Sequence, residues 1–327
     1  MAEASAKTDY FIGVDLGGTK ILAGVFDDKL TCLGRTKMST KSERGAEEVI
    51  ERIARCARDV VDECDLDFKQ VKAVGIGAPG AVDPETGRVI FAPNLQWQDV
   101  PLKKVIEKQL GVTVAVENDC NSATLGVFEK ELQSKPRYMV GIFIGTGIGG
   151  GFIIDGKLYP GASGTAAEIG HMVIQVGGPK CNCGNRGCFE ALASRTAIFR
   201  TIYAAIKEGP KTILTELLGP DLTDLCSGDL RKAIRKGDKV VEKIVEDAAE
   251  YTGIAVANLI NILNPQTVVL GGGVIDALGD EMMAIIVETA EDYILSGTNK
   301  GVEIVASKAG DDAGIIGGAV LARRSVK

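Results

Sequence analysis

The stretch from residue 168 to residue 194 reads EIGHMVIQVGGPKCNCGNRGCFEALAS and contains the only histidine of the chain. This histidine, His171, stands ten residues before a compact group of three cysteines, Cys181, Cys183 and Cys188. Three thiolates and one imidazole complete a tetrahedral zinc shell and leave no open position for a catalytic water. Buried small thiols and a chance histidine are the alternative, but the glycines, asparagines and arginine between the cysteines are untypical of a packed core. The stretch therefore predicts a structural zinc site with these four ligands.

Two carboxylates flank the predicted metal site. Glu168 precedes His171 by three residues, and Glu190 follows Cys188 by two. When one ring nitrogen of a histidine binds a metal ion, the other donates a hydrogen bond to a carboxylate, a carbonyl, water or a bound substrate. Together with the carboxylates, this N–H suits the adjacent hydroxyls of a polyol. Two solvated glutamates beside a zinc site are the alternative interpretation.

Length and composition limit the class of protein. A chain of 327 residues forms one large domain or, more readily, two ordinary ones. The net charge of −7 gives no reason to expect nucleic acid or an anionic membrane as a partner. The polar start lacks the features of a secretory signal, and no apolar run reaches the ~20 residues of a membrane-spanning helix. The five other cysteines are scattered among helix and strand patterns, which favours reduced thiols in the cytoplasm.

The hydrophobic pattern predicts an α/β protein. The predicted strands are 10–15, 21–26, 31–38, 71–77, 112–117, 139–144, 151–155 and 267–270. The predicted helices are 45–64, 101–110, one from about 119, 239–263 and one from about 274. Because the strand pattern starts anew near Tyr138, we expect two related halves with a cleft between them.

Three glycine-rich segments follow predicted strands. The first, 15–20, joins two strands, so its N–H groups can approach a phosphate while Asp15 faces a metal ion. The second, 145–151, contains G-x-G-x-x-G, but a strand follows where a dinucleotide-binding fold needs a helix. The third, 271–273, opens a helix and can bring backbone against a nucleotide. Each alone is typical of a tight turn, whereas together they predict a set of phosphate-binding loops.

The segment 116–121, VENDCN, places a carboxylate at the start of a predicted helix. In the functional interpretation, Asp119 is a general base that takes a proton from an attacking hydroxyl, and Asn118 holds a neighbouring hydroxyl. The alternative is that Asp119 is an ordinary helix N-cap.

Taken together, these residues resemble the ROK family of sugar kinases and repressors. Segment 181–194 matches the family pattern C-x-C-G-x-x-G-C-x-E-x-x-x-S, and segment 168–171 matches its E-x-G-H motif. The resemblance covers almost the whole chain. It implies the two-domain α/β fold of actin and hexokinase, which is ribonuclease H-like. The stretch 93–102 is most similar to the bacterial glucokinase branch, in which Asn94 is a further sugar contact.

The resemblance also implies a role for each motif and a division of the chain. The implied roles are the general base (Asp119), the sugar ligands (Asn94, Asn118, Asp119, Glu168, His171 and Glu190), the first phosphate loop (Asp15, Gly17, Gly18, Thr19 and Lys20), the second phosphate loop (Gly145, Thr146 and Gly147), the adenosine contact (Gly271, Gly272 and Gly273) and the zinc ligands (His171, Cys181, Cys183 and Cys188). ATP, Mg²⁺ held through water by Asp15, and structural Zn²⁺ are the implied cofactors. A smaller domain comprises 1–118 with 307–327, and a larger one comprises 119–306. The implied assembly is a homodimer or homotetramer.

The implied reaction transfers the γ-phosphate of ATP to the 6-hydroxyl of glucose. N-acetylglucosamine, N-acetylmannosamine or mannose stays open as the acceptor, and so does a non-catalytic sugar sensor. A repressor carries a DNA-binding domain in front of the sugar-binding body, and only nine residues precede the first predicted strand, so we expect no such role. The nucleotide loops share no residue with the metal shell. We therefore expect sugar binding, but not ATP binding, to depend on zinc.

Overall fold

The computed structural model describes residues 9–209, 212–298 and 300–326, and within these ranges the chain forms thirteen strands and ten α-helices. The strands are β1 (Tyr10–Leu16), β2 (Lys20–Phe26), β3 (Cys32–Ser39), β4 (Val71–Ala78), β5 (Ala81–Asp83), β6 (Arg88–Ala92), β7 (Trp97–Val100), β8 (Thr113–Asn118), β9 (Met139–Ile144), β10 (Ile148–Ile154), β11 (Lys157–Leu158), β12 (Thr267–Gly271) and β13 (Glu303–Ala306). The helices are α1 (Ala46–Asp62), α2 (Leu102–Leu110), α3 (Asp119–Gly126), α4 (Phe189–Ala193), α5 (Arg195–Glu208), α6 (Ile213–Leu218), α7 (Ser227–Arg235), α8 (Lys239–Leu263), α9 (Gly273–Tyr293) and α10 (Asp312–Ser325). The polar start was predicted not to be a secretory signal, and its residues 1–8 lie outside the described residues.

The chain divides into two compact units. The first comprises 1–137, 151–166 and 311–327, and the second comprises 138–150 and 167–310. The predicted boundary assigned α3 to the second domain, whereas α3 belongs to the first unit because it packs against α10. A Cβ atom at Gly126 would lie 2.3 Å from the carbonyl oxygen of Ala313. As a boundary between folding domains, 118/119 stays a prediction. Residues 1–8 and 327 of the predicted smaller domain lie outside the described residues.

The first unit is built on a five-stranded sheet in the order β3-β2-β1-β4-β8. β1, β2 and β3 are antiparallel, and β4 and β8 run parallel to β1. The apolar residues of α1 recur at helical spacing, and Val49, Ile53 and Val60 are buried in the same core as Ile12 and Val74. The five predicted strands of this sheet are confirmed to within about two residues at each end.

Glycines allow α10 to lie directly on the backbone of this sheet. A Cβ atom at Gly13 in β1 would come within 1.7 Å of the carbonyl oxygen of Ile315. One at Gly75 in β4 would come within 1.9 Å of the carbonyl oxygen of Gly318. Real Cβ contacts are never this short, so any side chain at these two positions would push the helix away from the strands. The same packing brings the start of α10 beside the carboxyl end of β1.

A second, three-stranded antiparallel sheet in the order β5-β6-β7 lies in the first unit and was not predicted. Its strands have three to five residues. Val82, Val89 and Trp97 anchor it in the core. Between β6 and β7 the chain makes a single 3-10 turn, Pro93–Leu95, and this turn carries Asn94.

The second unit contains the parallel strands β9, β12 and β13, part of a five-stranded sheet in the order β11-β10-β9-β12-β13. Helix α8 has the predicted bounds, because Asp238 caps its first turn and Asn264 ends it in the left-handed region at φ 43°. β10 begins at Ile148 and not at the predicted residue 151, because the glycines after Gly147 continue the strand.

No helix within the described ranges combines the length and the apolarity that crossing a lipid bilayer requires.

Candidate active site and metal centre

Four side chains of the second unit converge on one point. The ligand atoms of His171, Cys181, Cys183 and Cys188 all lie within 4.8 Å of one another. The Sγ atoms of Cys183 and Cys188 are 3.7 Å apart, and the Sγ atom of Cys181 is 3.8 Å from Nδ1 of His171. A tetrahedral zinc ion with Zn–S bonds of about 2.3 Å spaces its sulfur ligands about 3.8 Å apart. The predicted residues are therefore brought together with the spacing that suits Zn²⁺, and the identity of the metal stays a prediction.

The chemistry of the donors also fits a cation. Burial and the neighbouring thiols raise the pKa of Cys188 to about 12, and burial raises the pKa of Cys181. Thiolates collected at one point need a positive charge among them, and Zn²⁺ bound to sulfur supplies it.

The backbone of residues 181–188 forms a tight loop, which we call the cysteine knuckle. The N–H of Cys181 donates to the carbonyl of Asn185 at 2.8 Å. Gly184 adopts φ 99°, which favours glycine. At Gly187, a Cβ atom would lie 1.7 Å from the carbonyl oxygen of Gln175. These glycines therefore allow the chain to fold the three sulfur atoms toward one point.

His171 and Glu168 face each other beside the cluster. Because Nδ1 of His171 faces the sulfur atoms, Nε2 is left for another partner. Nε2 lies 4.0 Å from Oε2 of Glu168, which is too long for a hydrogen bond. A sugar hydroxyl lying between them would accept from the imidazole and donate to the carboxylate.

Glu190 is held on two sides. Its Oε2 accepts a hydrogen bond from the N–H of Ile148 at 3.0 Å. Its Oε1 lies 3.9 Å from Sγ of Cys181. Glu190 is thus fixed in place, in contrast with the solvated side chain of the alternative interpretation. It connects the cysteine knuckle to the first residue of β10.

The predicted base, Asp119, is the first residue of α3. The N-cap of this helix is Asn118, whose Oδ1 accepts the N–H groups of Cys120 and Asn121 at 2.9 Å and 3.1 Å. The alternative in which Asp119 is the N-cap is therefore wrong. The Nδ2 of Asn118 donates to the carbonyl of Gly80 at 3.0 Å, which fixes the amide plane. This fixed orientation suits the predicted role of Asn118 toward a sugar hydroxyl.

The buried carboxyl of Glu117, which was not predicted as a site residue, stabilises this turn through hydrogen bonds. Its side chain is 4% exposed, and its Oε1 accepts the N–H of Asn118 at 2.9 Å and the Nδ2–H of Asn121 at 3.1 Å. Burial raises its pKa, and these hydrogen bonds oppose the rise only in part. Glu117 thus orders the residues on both sides of Asp119.

The first glycine loop is a closed turn between β1 and β2. The N–H of Gly17 donates to the carbonyl of Lys20 at 2.8 Å. Thr40 closes the loop from outside, because its Oγ1 donates to the carbonyl of Gly17 at 2.7 Å and its N–H donates to that of Thr19 at 2.9 Å. Thr40 is fully buried and was not predicted. A Cβ atom at Gly18 would lie 3.7 Å from Cβ of Asn94, so the predicted sugar contact adjoins this loop.

Asp15 and Asp119 influence each other electrostatically within the first unit. The pKa of Asp15 is raised to about 7, first by burial and then by the charge of Asp119, while Lys20 opposes the rise. The Nζ atom of Lys20 also contacts Asp311 at 2.6 Å. Two neighbouring carboxylates that repel each other suit a divalent cation, which agrees with the predicted role of Asp15 toward Mg²⁺.

The second glycine loop is shorter than its sequence indicated. Gly145 donates its N–H to the carbonyl of Gly147 at 2.9 Å, and β10 begins at the next residue. The guanidinium of Arg195 donates to Oγ1 of Thr146 at 2.5 Å. Arg195 was not predicted as a site residue.

The third glycine segment joins β12 to α9. Gly272 adopts φ 88°, and a Cβ atom there would lie 2.7 Å from the carbonyl oxygen of Ile144. A cavity of about 680 Å³ lies along the first turns of α9 and is lined by Ile275, Asp276 and Lys308, among others. Its volume falls in the range of small-molecule sites.

The family model described as the ROK family matches residues 11–325. The chain belongs to the ROK family. It is 38% identical over 317 residues to the glucokinase of Thermotoga maritima, a match that covers 96% of this chain and 98% of the relative. It is 30% identical to the N-acetyl-D-glucosamine kinase of Vibrio parahaemolyticus, covering 95% and 99% of the two chains.

A solved ROK-family glucokinase from Streptomyces griseus, in complex with glucose and AMPPNP, superimposes with a TM-score of 0.85. The identity is 34%, and the match covers 96% of this chain and 99% of that one. The predicted ROK membership and the predicted actin/hexokinase-like α/β fold are confirmed. Glucokinase relatives along nearly the whole chain support a ROK sugar kinase.

Within this ROK-family chain, each unit gathers its own share of the predicted residues. The first unit holds the predicted base Asp119, with Asn94, Asn118 and the loop from Asp15 to Lys20. The second unit holds the metal cluster, Glu168, Glu190 and the other two glycine segments. The residues that sequence reasoning missed, Thr40, Glu117 and Arg195, contact the loops or the turn through hydrogen bonds. Of these three residues, only Glu117 could have been found from the sequence, because it stands next to Asn118 and Asp119.

Proposed function

We propose that this chain is an ATP-dependent glucokinase that transfers the γ-phosphate of ATP to the 6-hydroxyl of glucose. The observation that carries the proposal is the position of Asp119 as first residue of α3, beside a cap residue whose amide is fixed on both sides. The high similarity to glucokinases over nearly the whole chain supports the choice of acceptor.

In the proposed reaction, Asp119 accepts the proton of the 6-hydroxyl while that oxygen attacks the γ-phosphorus in line, and ADP leaves. Asn94, Asn118, Glu168, His171 and Glu190 bind the other hydroxyls. When bound, Mg²⁺ supplies positive charge that offsets the charge developing on the phosphoryl oxygens. Asp15 is the carboxylate that would hold it through water.

The glycine segments of the proposed enzyme bind the nucleotide. The N–H groups of Thr146 and Gly147 have no hydrogen-bond partner among the described residues, and they are the proposed donors to phosphate oxygens. The first loop, Asp15 to Lys20, is the other proposed phosphate-binding segment. The cavity beside α9 and Gly271 to Gly273 is the proposed adenosine site.

We also propose a structural Zn²⁺ in the cysteine knuckle, a homodimer or homotetramer, and a cytoplasmic location. The eight cysteines are free thiols in the described structure, and a reducing compartment keeps zinc-binding thiols available.

Phosphorylation of another hexose is the second candidate, and the N-acetyl-D-glucosamine kinase relative favours it. N-acetylglucosamine and mannose differ from glucose by the substituent or the configuration at carbon 2, and N-acetylmannosamine differs by both. The proposed sugar ligands beside the metal centre would discriminate among them. A non-catalytic sugar sensor is the third candidate, although Asp119 and the glycine loops are intact.

Initial rates over these four sugars, with ATP, ADP and polyphosphate as phosphoryl donors, test the proposal. We expect glucose with ATP to give the highest kcat/KM and glucose 6-phosphate to be the product. The 6-deoxy analogue of glucose should bind without reacting. Faster reaction of N-acetylmannosamine or N-acetylglucosamine would overturn the choice of glucose, and no turnover with any sugar would favour the sensor.

A further inference from the structure

The loop formed by Gly145, Thr146 and Gly147 is held by bonds to its carbonyl and hydroxyl groups. The carbonyl of Gly145 accepts the N–H of Arg195 at 3.0 Å. The carbonyl of Thr146 accepts the Oγ1–H of Thr196 at 2.7 Å, and its hydroxyl accepts from the guanidinium of Arg195 at 2.5 Å. Three acceptors of the loop, the carbonyls of Gly145 and Thr146 and the hydroxyl of Thr146, therefore bind the start of α5. The N–H groups of Thr146 and Gly147, which the proposed function assigns to phosphate binding, take no part in these bonds.

All of these bonds come from one segment, residues 188–196, which we call the strap. The strap begins with the metal ligand Cys188, contains α4, and ends in the first turn of α5. Its Glu190 accepts the N–H of Ile148, the residue that follows the loop. The strap thus contacts Gly145 and Thr146 of the loop and the residue after it, Ile148, and it continues directly into the metal centre.

The strap is itself firmly packed. Phe189 is fully buried, and its N–H donates to the carbonyl of Met172 at 2.9 Å. The carbonyl of Ala191 accepts from Arg200 at 2.6 Å, and Oγ of Ser194 caps α5 by accepting the N–H of Ala197 at 3.1 Å. A displacement at Cys188 would therefore move the strap as one piece, because packed segments transmit strain.

We propose that the strap couples the metal centre to nucleotide binding, with Arg195 and Thr196 as positioning residues that hold the loop 145–147 in its phosphate-binding shape. The inference rests on the proposed function of that loop. It replaces the sequence-based expectation that nucleotide binding is independent of zinc. That expectation considered only shared ligands, whereas the connection here runs through hydrogen bonds.

The test measures binding of AMPPNP with Mg²⁺ by calorimetry, using the full chain with its metal site loaded. Thr196→Val removes one bond to the loop and retains the shape of the side chain, and Arg195→Ala removes another. We expect each to weaken AMPPNP binding roughly three- to tenfold, with glucose affinity changed less than twofold. The matched control is Thr201→Val on the same helix, because the hydroxyl of Thr201 bonds only to the carbonyl of Ala197 in the described contacts. This control should bind AMPPNP like the wild type.

A second measurement removes the metal with a chelator and follows AMPPNP affinity together with hydrogen exchange of the segment 143–149. We expect weaker binding and faster exchange while the far-ultraviolet circular dichroism is retained. If Thr196→Val and Arg195→Ala bind AMPPNP as tightly as the wild type, the strap proposal is overturned while the kinase proposal stands. If the wild type binds AMPPNP but phosphorylates no sugar, the kinase proposal fails instead.

Discussion

Asn118 caps the helix of which Asp119 is the first residue, so the amide and the carboxylate are presented by the same turn. The cap accepts two N–H groups of α3, and Asp119 accepts the N–H of Cys120 at 2.8 Å. The helix N-terminus stabilises a negative charge on Asp119, while the nearby carboxylate of Asp15 opposes it. The turn therefore fixes the direction of the proposed base.

Replacing Asp119 by asparagine should abolish turnover while sugar binding persists. Asparagine retains the size of the side chain but does not accept the proton, and loss of a general base costs roughly 10²-fold or more in kcat. The measurement is kcat with glucose and ATP, together with glucose affinity by calorimetry. Asp28→Asn, an exposed site in the same unit, is the control. A kcat within a few-fold of the wild type would show that another group is the base.

Glu117→Gln should change how stability depends on pH. Burial raises the pKa of Glu117 above its ordinary value of 4.5 in the folded chain. The folded protein thus holds this proton more tightly than the unfolded chain. The resulting stabilisation is fully present below pH 4.5 and is lost as pH rises through the folded-state pKa.

Glutamine retains the acceptor oxygen without the charge, so the stability of Glu117→Gln relative to wild type should increase over that pH range. Each unit of raised pKa corresponds to about 1.4 kcal/mol. Urea unfolding from pH 4 to pH 8 provides the measurement. Glu107→Gln is the control, because Glu107 also accepts a backbone N–H, from Val114, but is only half-buried. Parallel pH curves for wild type and Glu117→Gln would contradict the prediction.

Cys183→Ser should remove the metal and weaken sugar binding. A neutral hydroxyl is a much poorer zinc ligand than a thiolate, and loss of zinc releases His171 and the neighbouring carboxylates. We expect one zinc per chain in the wild type and less in the variant, with glucose affinity reduced about tenfold or more. Elemental analysis and calorimetry test this, with the exposed Cys32→Ser as control. A folded, zinc-free variant that binds glucose normally would reduce the cluster to a stabilising device.

Gly13→Ala should destabilise the first unit strongly. The added Cβ would lie 1.7 Å from the carbonyl oxygen of Ile315, so α10 would have to move away from β1. We expect a loss of about 2 kcal/mol or more of unfolding free energy. Gly228→Ala is the control, because the nearest atom to its Cβ would be 3.7 Å away. Denaturant unfolding measures both, and equal stabilities would refute the proposed packing.

The sequence was informative where its signal is periodic or local. Helix α8 repeats apolar residues along 25 positions between a cap and a left-handed terminator, so its bounds were predicted. The metal cluster was predicted because its ligands are close in sequence. The sheet β5-β6-β7 was missed because its strands are too short for a hydrophobic period to appear.

Contacts between distant residues left no signal in the sequence. Thr40 supports Gly17 across 23 positions, and the fit of α10 on β1 depends on glycines, which carry no side chain to reveal a buried face. Nothing in the sequence distinguishes Arg195 from other arginines, and only the folded chain shows that it contacts Thr146.

The close fit of α10 against Gly13 and Gly75 also determines when the first unit can finish folding during synthesis. The sheet that α10 covers is built from the earliest part of the chain, yet its covering helix, residues 312–325, leaves the ribosome only after the second unit has been translated. A nascent chain therefore carries this sheet with one backbone face uncovered through most of its elongation. Such long-range closure leaves apolar surface of the unfinished chain open to aggregation until the last helix is made.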